Sequence, residues 1–88
     1  MREDKRRKTA IRNFYMVYRE LQQYARLRLH TRVERTGEAL IECYRYNGEV
    51  KAERVLRISD EDEVAAYEKA EAQVNNMLLR FRQDRKAG

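Results

Sequence analysis

Eleven Lys and Arg side chains fall within residues 1–35, against four Asp and Glu. Lys5, Arg6, Arg7 and Lys8 form a run, and Arg12, Arg19 and Arg26 follow at intervals of seven. Seven residues are close to two helical turns, so on a helix the last three share a face. Guanidinium groups in such a row can meet successive phosphates, each contact releasing counterions and steepening the salt dependence. Arg28, Arg32 and Arg35 add a second short row at spacings of four and three. The residues expected to bind nucleic acid are Lys5, Arg6, Arg7, Lys8, Arg12, Arg19 and Arg26, with DNA and RNA not distinguished. Against this stands a plain solvated helix face, partly neutralised by Glu20, Glu34 and the acidic run Asp60–Glu63.

Tyrosine supplies a different chemistry. Tyr44 and Tyr46 alternate along one segment, as residues on one face of a strand do. On an exposed face they would stack unpaired bases or anchor a protein interface. They would otherwise cover the sheet against a helix or a second subunit, with their hydroxyls in water. No glycine-aromatic motif of the RNA-recognition kind accompanies them. The alternative function is therefore a protein-interaction module, a small inhibitor or assembly factor. It would dock through a Tyr-bearing hairpin face or an apolar helix stripe.

The remaining candidates carry less. His30 is the one histidine and has no Ser, Cys or carboxylate constellation around it in sequence. Cys43 is the one cysteine, which excludes an intrachain disulfide and reads as a small core hydrophobe. Asp60, Glu61, Asp62 and Glu63 lack the loop glycine and distal glutamate of a calcium loop, and helix capping accounts for them. No phosphate-cradling Gly loop, serine elbow or zinc-ligand spacing is present. The expectation is a protein that is not an enzyme and holds no metal or cofactor.

These side chains sit in a chain of 88 residues with 40% charged and 42% hydrophobic residues, no Pro and a net charge of +5. Residues 1–35 hold a charge of +7, residues 36–58 are neutral and residues 59–88 hold −2. Such asymmetry suits a polyanion-binding arm or pairing between the two ends of the chain. No apolar run approaches a membrane span and no signal-peptide core is seen, so a cytoplasmic protein is expected.

Residues 1–8 are expected as a basic, flexible tip and residues 9–88 as a single domain. Ala10, Phe14, Val17, Leu21 and Tyr24 recur at helical spacing, with Ile11, Tyr18, Ala25 and Leu29 one position round. This predicts a helix from Thr9 to Arg32, with Thr9 as its cap. Asn47-Gly48 is a strong hairpin signal. Taken as a two-residue loop, it pairs Cys43 with Ala52, Ile41 with Arg54 and Ala39 with Leu56. One face then gathers Ala39, Ile41, Cys43, Val50, Ala52, Leu56 and Ile58. The other holds Glu42, Tyr44, Tyr46, Lys51 and Glu53, with Glu42 set against Glu53. The acidic residues from Asp60, spaced with Glu63 as a capping box, open a second helix with Tyr67, Ala70, Val74, Met77 and Phe81 as its stripe.

The fold class is thus α+β, an α-β-β-α unit with an antiparallel hairpin packed on two helices. An all-α bundle is the alternative, because Glu, Lys, Ala and Arg favour helix over strand. A lone hairpin is marginal in water and leaves open edges. A homodimer that joins two hairpins into a four-stranded sheet, or packs helix against helix, would resolve both.

Overall fold

The computed structural model describes residues 2–48 and 51–87, and the side chains of 5–48 and 51–84. The order is α1 (Arg2–Leu21), β1 (Leu27–Val33), β2 (Ala39–Asn47), β3 (Lys51–Asp60) and α2 (Glu63–Ala87). The α+β class stands, with the hairpin of β2 and β3 packed on the helices. A third strand joins it where a helix was expected.

The first helix ends eleven residues before Arg32. Amides of Gln22, Tyr24 and Ala25 bond back to Tyr18 and Leu21, closing the last turn. From Leu27 the side chains alternate: Leu27, Leu29, Thr31 and Val33 on one face, Arg28, His30 and Arg32 on the other. Leu29 fits a helical stripe as well as it fits this alternation, which is why helical spacing alone carries it too far. The physical arbiter is β2. Its backbone groups on that side need partners, and β1 supplies them from Leu27 opposite Arg45 to Val33 opposite Ala39. The connecting loop closes through Gly37, whose φ of +94° suits glycine. At its other end α1 begins at Arg2, so Thr9 lies inside the helix instead of capping it.

The hairpin turns at the expected place but in a different register. Asn47 faces Lys51, so the loop has three residues instead of two, and Glu49 and Val50 lie outside the described residues. Tyr44 faces Arg54 while Cys43 faces Leu56, which leaves Val55 as an extra residue in β3. A bulge of this kind swaps the side of the sheet that each later residue faces. Before it, Ala52 and Arg54 point away from the helices; after it, Leu56 and Ile58 point into the core. The expected register put Arg54 on the apolar face and Glu42 against Glu53. The observed one removes both conflicts, since Glu42 now faces Arg57 and pairs with Arg54. Ala52 thereby leaves the expected inner face, and Lys51 and Glu53 leave the outer one.

The helices lie side by side on one face of the sheet and run parallel. Arg7 pairs with Glu63 at 2.5 Å, Arg6 with Glu68 at 3.4 Å and Glu20 with Arg82 at 2.8 Å. These ion pairs are exposed and contribute about 0–1 kcal/mol each. Burial does more. Phe14, Leu21, Ile41, Cys43, Val74 and Leu78 are fully enclosed, and each large apolar side chain so buried contributes roughly 1.5–3 kcal/mol. Phe14 is the hub, with its ring 5.4, 5.8 and 5.5 Å from those of Tyr15, Tyr18 and Tyr67.

Burial also pushes the Tyr18 hydroxyl up to about 12 and the Cys43 thiol up to about 11. Both are therefore neutral members of the core at physiological pH. At the head of α2 the cap is Asp62, whose carboxylate accepts the amide of Ala65 at 3.2 Å. Asp60 ends β3, accepts the Asp62 amide and pairs with the Lys69 ammonium, which holds its carboxyl below the usual range. Glu63 reaches across to Arg7 and plays no part in a capping box.

Candidate nucleic-acid interface

The seven basic residues singled out in the sequence separate into three groups. Lys5, Lys8, Arg12 and Arg19 share an arc of about 60° on α1, and the stripe from Lys5 to Arg19 is about 21 Å long. Ala10, Phe14, Tyr18 and Leu21 are the buried face, so this stripe points straight out to solvent. All four cations are exposed, and among the described residues none of them has an ion-pair partner. Met16, 59% exposed, sits on the same line. No carboxylate interrupts it.

Arg6 and Arg7 stand apart from the stripe because they turn towards α2, where Glu68 and Glu63 meet them. This neutralises two of the cations that crowd the positive end of the α1 dipole. Arg26 lies off the helix altogether. It precedes β1, and its carbonyl accepts the amide of Tyr46 at 3.0 Å. The seven-residue interval from Arg19 to Arg26 therefore places nothing together.

The sheet face away from the helices is a second concentration of functional groups. Its central row, on β2, is Leu40, Glu42, Tyr44 and Tyr46. On the β1 side Arg32 faces Leu40, His30 faces Glu42 and Arg28 faces Tyr44. On the β3 side Ser59, Arg57, Arg54 and Ala52 face the same four residues in turn. Strands about 4.8 Å apart put the two basic rows roughly 10 Å from each other, with the tyrosines between them.

The contacts within this face are few. The Tyr44 hydroxyl donates to Glu42 Oε2 at 3.1 Å, and Arg54 reaches the same oxygen at 3.5 Å. The carboxylate beside it makes the Tyr44 proton harder to remove. Arg28 meets the Tyr46 hydroxyl, which holds the guanidinium proton more tightly. Arg32 pairs with Glu34 of the β1–β2 loop at 2.8 Å. Arg28 and Arg57 have no carboxylate partner among the described residues.

Tyr44 and Tyr46 were legible as an outward pair. Arg28 and Arg32, which sequence spacing assigns to a helix, lie on β1, and Arg35 falls in the loop between β1 and β2. Arg54 and Arg57 were missed as members of this face. The available signal was an arginine set opposite Ile41 on an otherwise apolar face, which is the mark of a bulge between them.

Among the described residues no three His, Cys, Asp or Glu side chains gather as a metal site requires. Nor is any described helix long and apolar enough to cross a membrane. The architecture is a two-layer α+β sandwich with its sheet uncovered on one side. No protein-family model matches the chain, and no curated protein or solved structure matches it.

Proposed function

We propose that the chain binds nucleic acid mainly through phosphates, as an accessory or regulatory protein of the cytoplasm with no catalytic step of its own. The contact surface is the outward stripe of α1, formed by Lys5, Lys8, Arg12 and Arg19. One observation carries this reading. The cations on that stripe lie in line over about 21 Å and have no ion-pair partner among the described residues, whereas Arg6, Arg32, Arg54, Lys69 and Arg82 elsewhere are each paired. A row of cations in line on one helix suits a regular polyanion such as a duplex backbone, whose affinity is dominated by counterion release. Phosphate contacts position a protein without reading sequence, so binding here is expected to be indifferent to base order.

The reading applies to a single chain. Dimerisation was expected because a two-stranded hairpin alone is marginal. With β1 added and two helices on one face, that reason no longer applies, though the outer edges of β1 and β3 stay open to strand pairing.

The test is fluorescence anisotropy with a 20-base-pair duplex at low salt. The quadruple substitution K5Q/K8Q/R12Q/R19Q should abolish binding, and Arg6→Gln should leave it within about two-fold, since surface cations already paired add little. Absence of binding by the unsubstituted protein, or equal binding by the quadruple variant, overturns the proposal.

A further inference from the structure

We propose that the uncovered face of the sheet is a second site that takes an unpaired stretch of nucleic acid. Bases would stack on Tyr44 and Tyr46 while the backbone runs along the guanidinium rows of β1 and β3. The inference shares with the preceding reading only the partner's class, for none of its residues lies on α1.

Three features of the face support this occupant. The first is spacing. Residues two apart on a strand are separated by about 6.7 Å, so Tyr44 and Tyr46 offer two separate aromatic platforms. Bases can reach both only when they are splayed out of a helix, as single strands allow. The second is the distribution of charge. Arg28 lies on one flank and Arg57 on the other, neither with a carboxylate partner among the described residues; Arg32 and Arg54 beside them are paired with Glu34 and Glu42, and Glu42 is the carboxylate in the middle of the face. Phosphates are drawn to the flanks and repelled from the centre, which leaves the centre to bases. The third is what the face excludes. A second copy of the same face would bring like-charged guanidinium rows together, which is unfavourable.

Glu42 has a defined part in this arrangement. Glu42 Oε2 receives both the Tyr44 hydroxyl and the Arg54 guanidinium. The carboxylate thus fixes the Tyr44 ring by its hydroxyl end and keeps Arg54 on the sheet. It is a positioning residue for the platform. Because α1 turns its stripe away from the core on the helix side, the two sites face in opposite directions. A protein built this way can hold a duplex on one side and a single strand on the other.

The experiment uses the full chain carrying K5Q/K8Q/R12Q/R19Q, so that α1 contributes nothing. The probes are a fluorescent oligothymidine and an abasic oligomer of the same length. The thymidine strand should bind at least about ten-fold more tightly than the abasic one, given the usual contribution of base–aromatic stacking. Tyr44→Ala and Tyr46→Ala should each weaken oligothymidine binding about ten-fold and leave the abasic oligomer unaffected. Tyr44→Phe, which keeps the ring and loses the hydroxyl, should retain the preference for bases, and so separates stacking from a damaged fold. Equal binding of the two probes, or alanine variants that bind oligothymidine as before, overturns the site. Displacement of oligothymidine by polyglutamate at equal charge concentration also overturns it, in favour of an acidic protein partner. Loss of duplex binding by the unsubstituted protein with base-dependent oligothymidine binding intact would refute the α1 reading and leave this one standing.

Discussion

Replacing Arg12 by Gln removes the cation at the centre of the α1 stripe while keeping a good helix former there. If the stripe's four cations each neutralise one phosphate of a duplex, the logarithm of the affinity should fall with the logarithm of salt at a slope of about −3.6. Between 50 and 200 mM salt that is a loss of roughly 150-fold. With Arg12 replaced, three contacts remain. The slope should be about −2.7 and the loss over the same range roughly 40-fold. The internal control is Arg6→Gln, since the Arg6 guanidinium already faces Glu68 at 3.4 Å and its removal should leave the slope unchanged. Anisotropy titrations at five salt concentrations with one duplex resolve a change of this size. A slope that ignores Arg12, or one that responds equally to Arg6, would show that the contacts lie elsewhere and that alignment on the helix is not what matters.

Phe14→Ala should cost about 3–5 kcal/mol in urea unfolding, a large share of the roughly 4–13 kcal/mol expected for 88 residues. Met16→Ala, two residues away and exposed, should change it by less than about 0.5 kcal/mol. Cys43, fully enclosed and with its thiol pushed up to about 11, should react with a disulfide reagent at pH 8 only on the timescale of unfolding; fast modification of the native protein would contradict its placement. Tyr18 and Cys43 are both neutral in the fold with raised values of about 12 and 11. Their contribution is present below the ordinary thiol and phenol values and is lost as pH rises through the folded ones. Stability should therefore decline above about pH 9, and less steeply in a Cys43→Ala variant. Deletion of Val55 should preserve the fold, because it removes only the extra residue of the bulge. Deletion of Arg57 should cost more, because Leu56 or Ile58 must then turn outward; equal melting temperatures for the two deletions would refute the register.

The second helix and the hairpin turn were readable because several local signals agreed there. The acidic start, the apolar stripe from Tyr67 to Phe81 and the Asn47-Gly48 turn each pointed one way. Residues 21–33 carry conflicting signals: Ala25 and Leu29 continue the period of Leu21, while Leu27, Thr31 and Val33 alternate. Only the unpaired edge of β2 decides between them, and that is a tertiary fact. The same holds for the functional surfaces. The cations on α1 could be aligned from spacing alone, but that Arg6 and Arg7 turn inward depends on where Glu63 and Glu68 arrive, more than fifty residues later. The gathering of Arg28, Arg57, Tyr44 and Tyr46 depends on a third strand and on one unpaired residue in β3.

The parallel pairing of the first and last helices has a consequence for how the chain comes into being. The three strands are joined by short connections and can pair as soon as they are made, whereas Tyr67, the ring on α2 that meets Phe14, follows about fifty residues later. During synthesis at about 5–20 residues per second, α1 leaves the ribosome several seconds before α2 exists to cover its other side. Contacts between residues so far apart in sequence form late and slow folding. For that interval an amphipathic helix with Phe14, Tyr18 and Leu21 uncovered depends on its own dense positive charge to stay apart from other chains. The charge on α1 would therefore guard the nascent protein before it serves any partner, and a ribosome halted before Glu63 would hold a polypeptide whose first helix lacks the helix it pairs with.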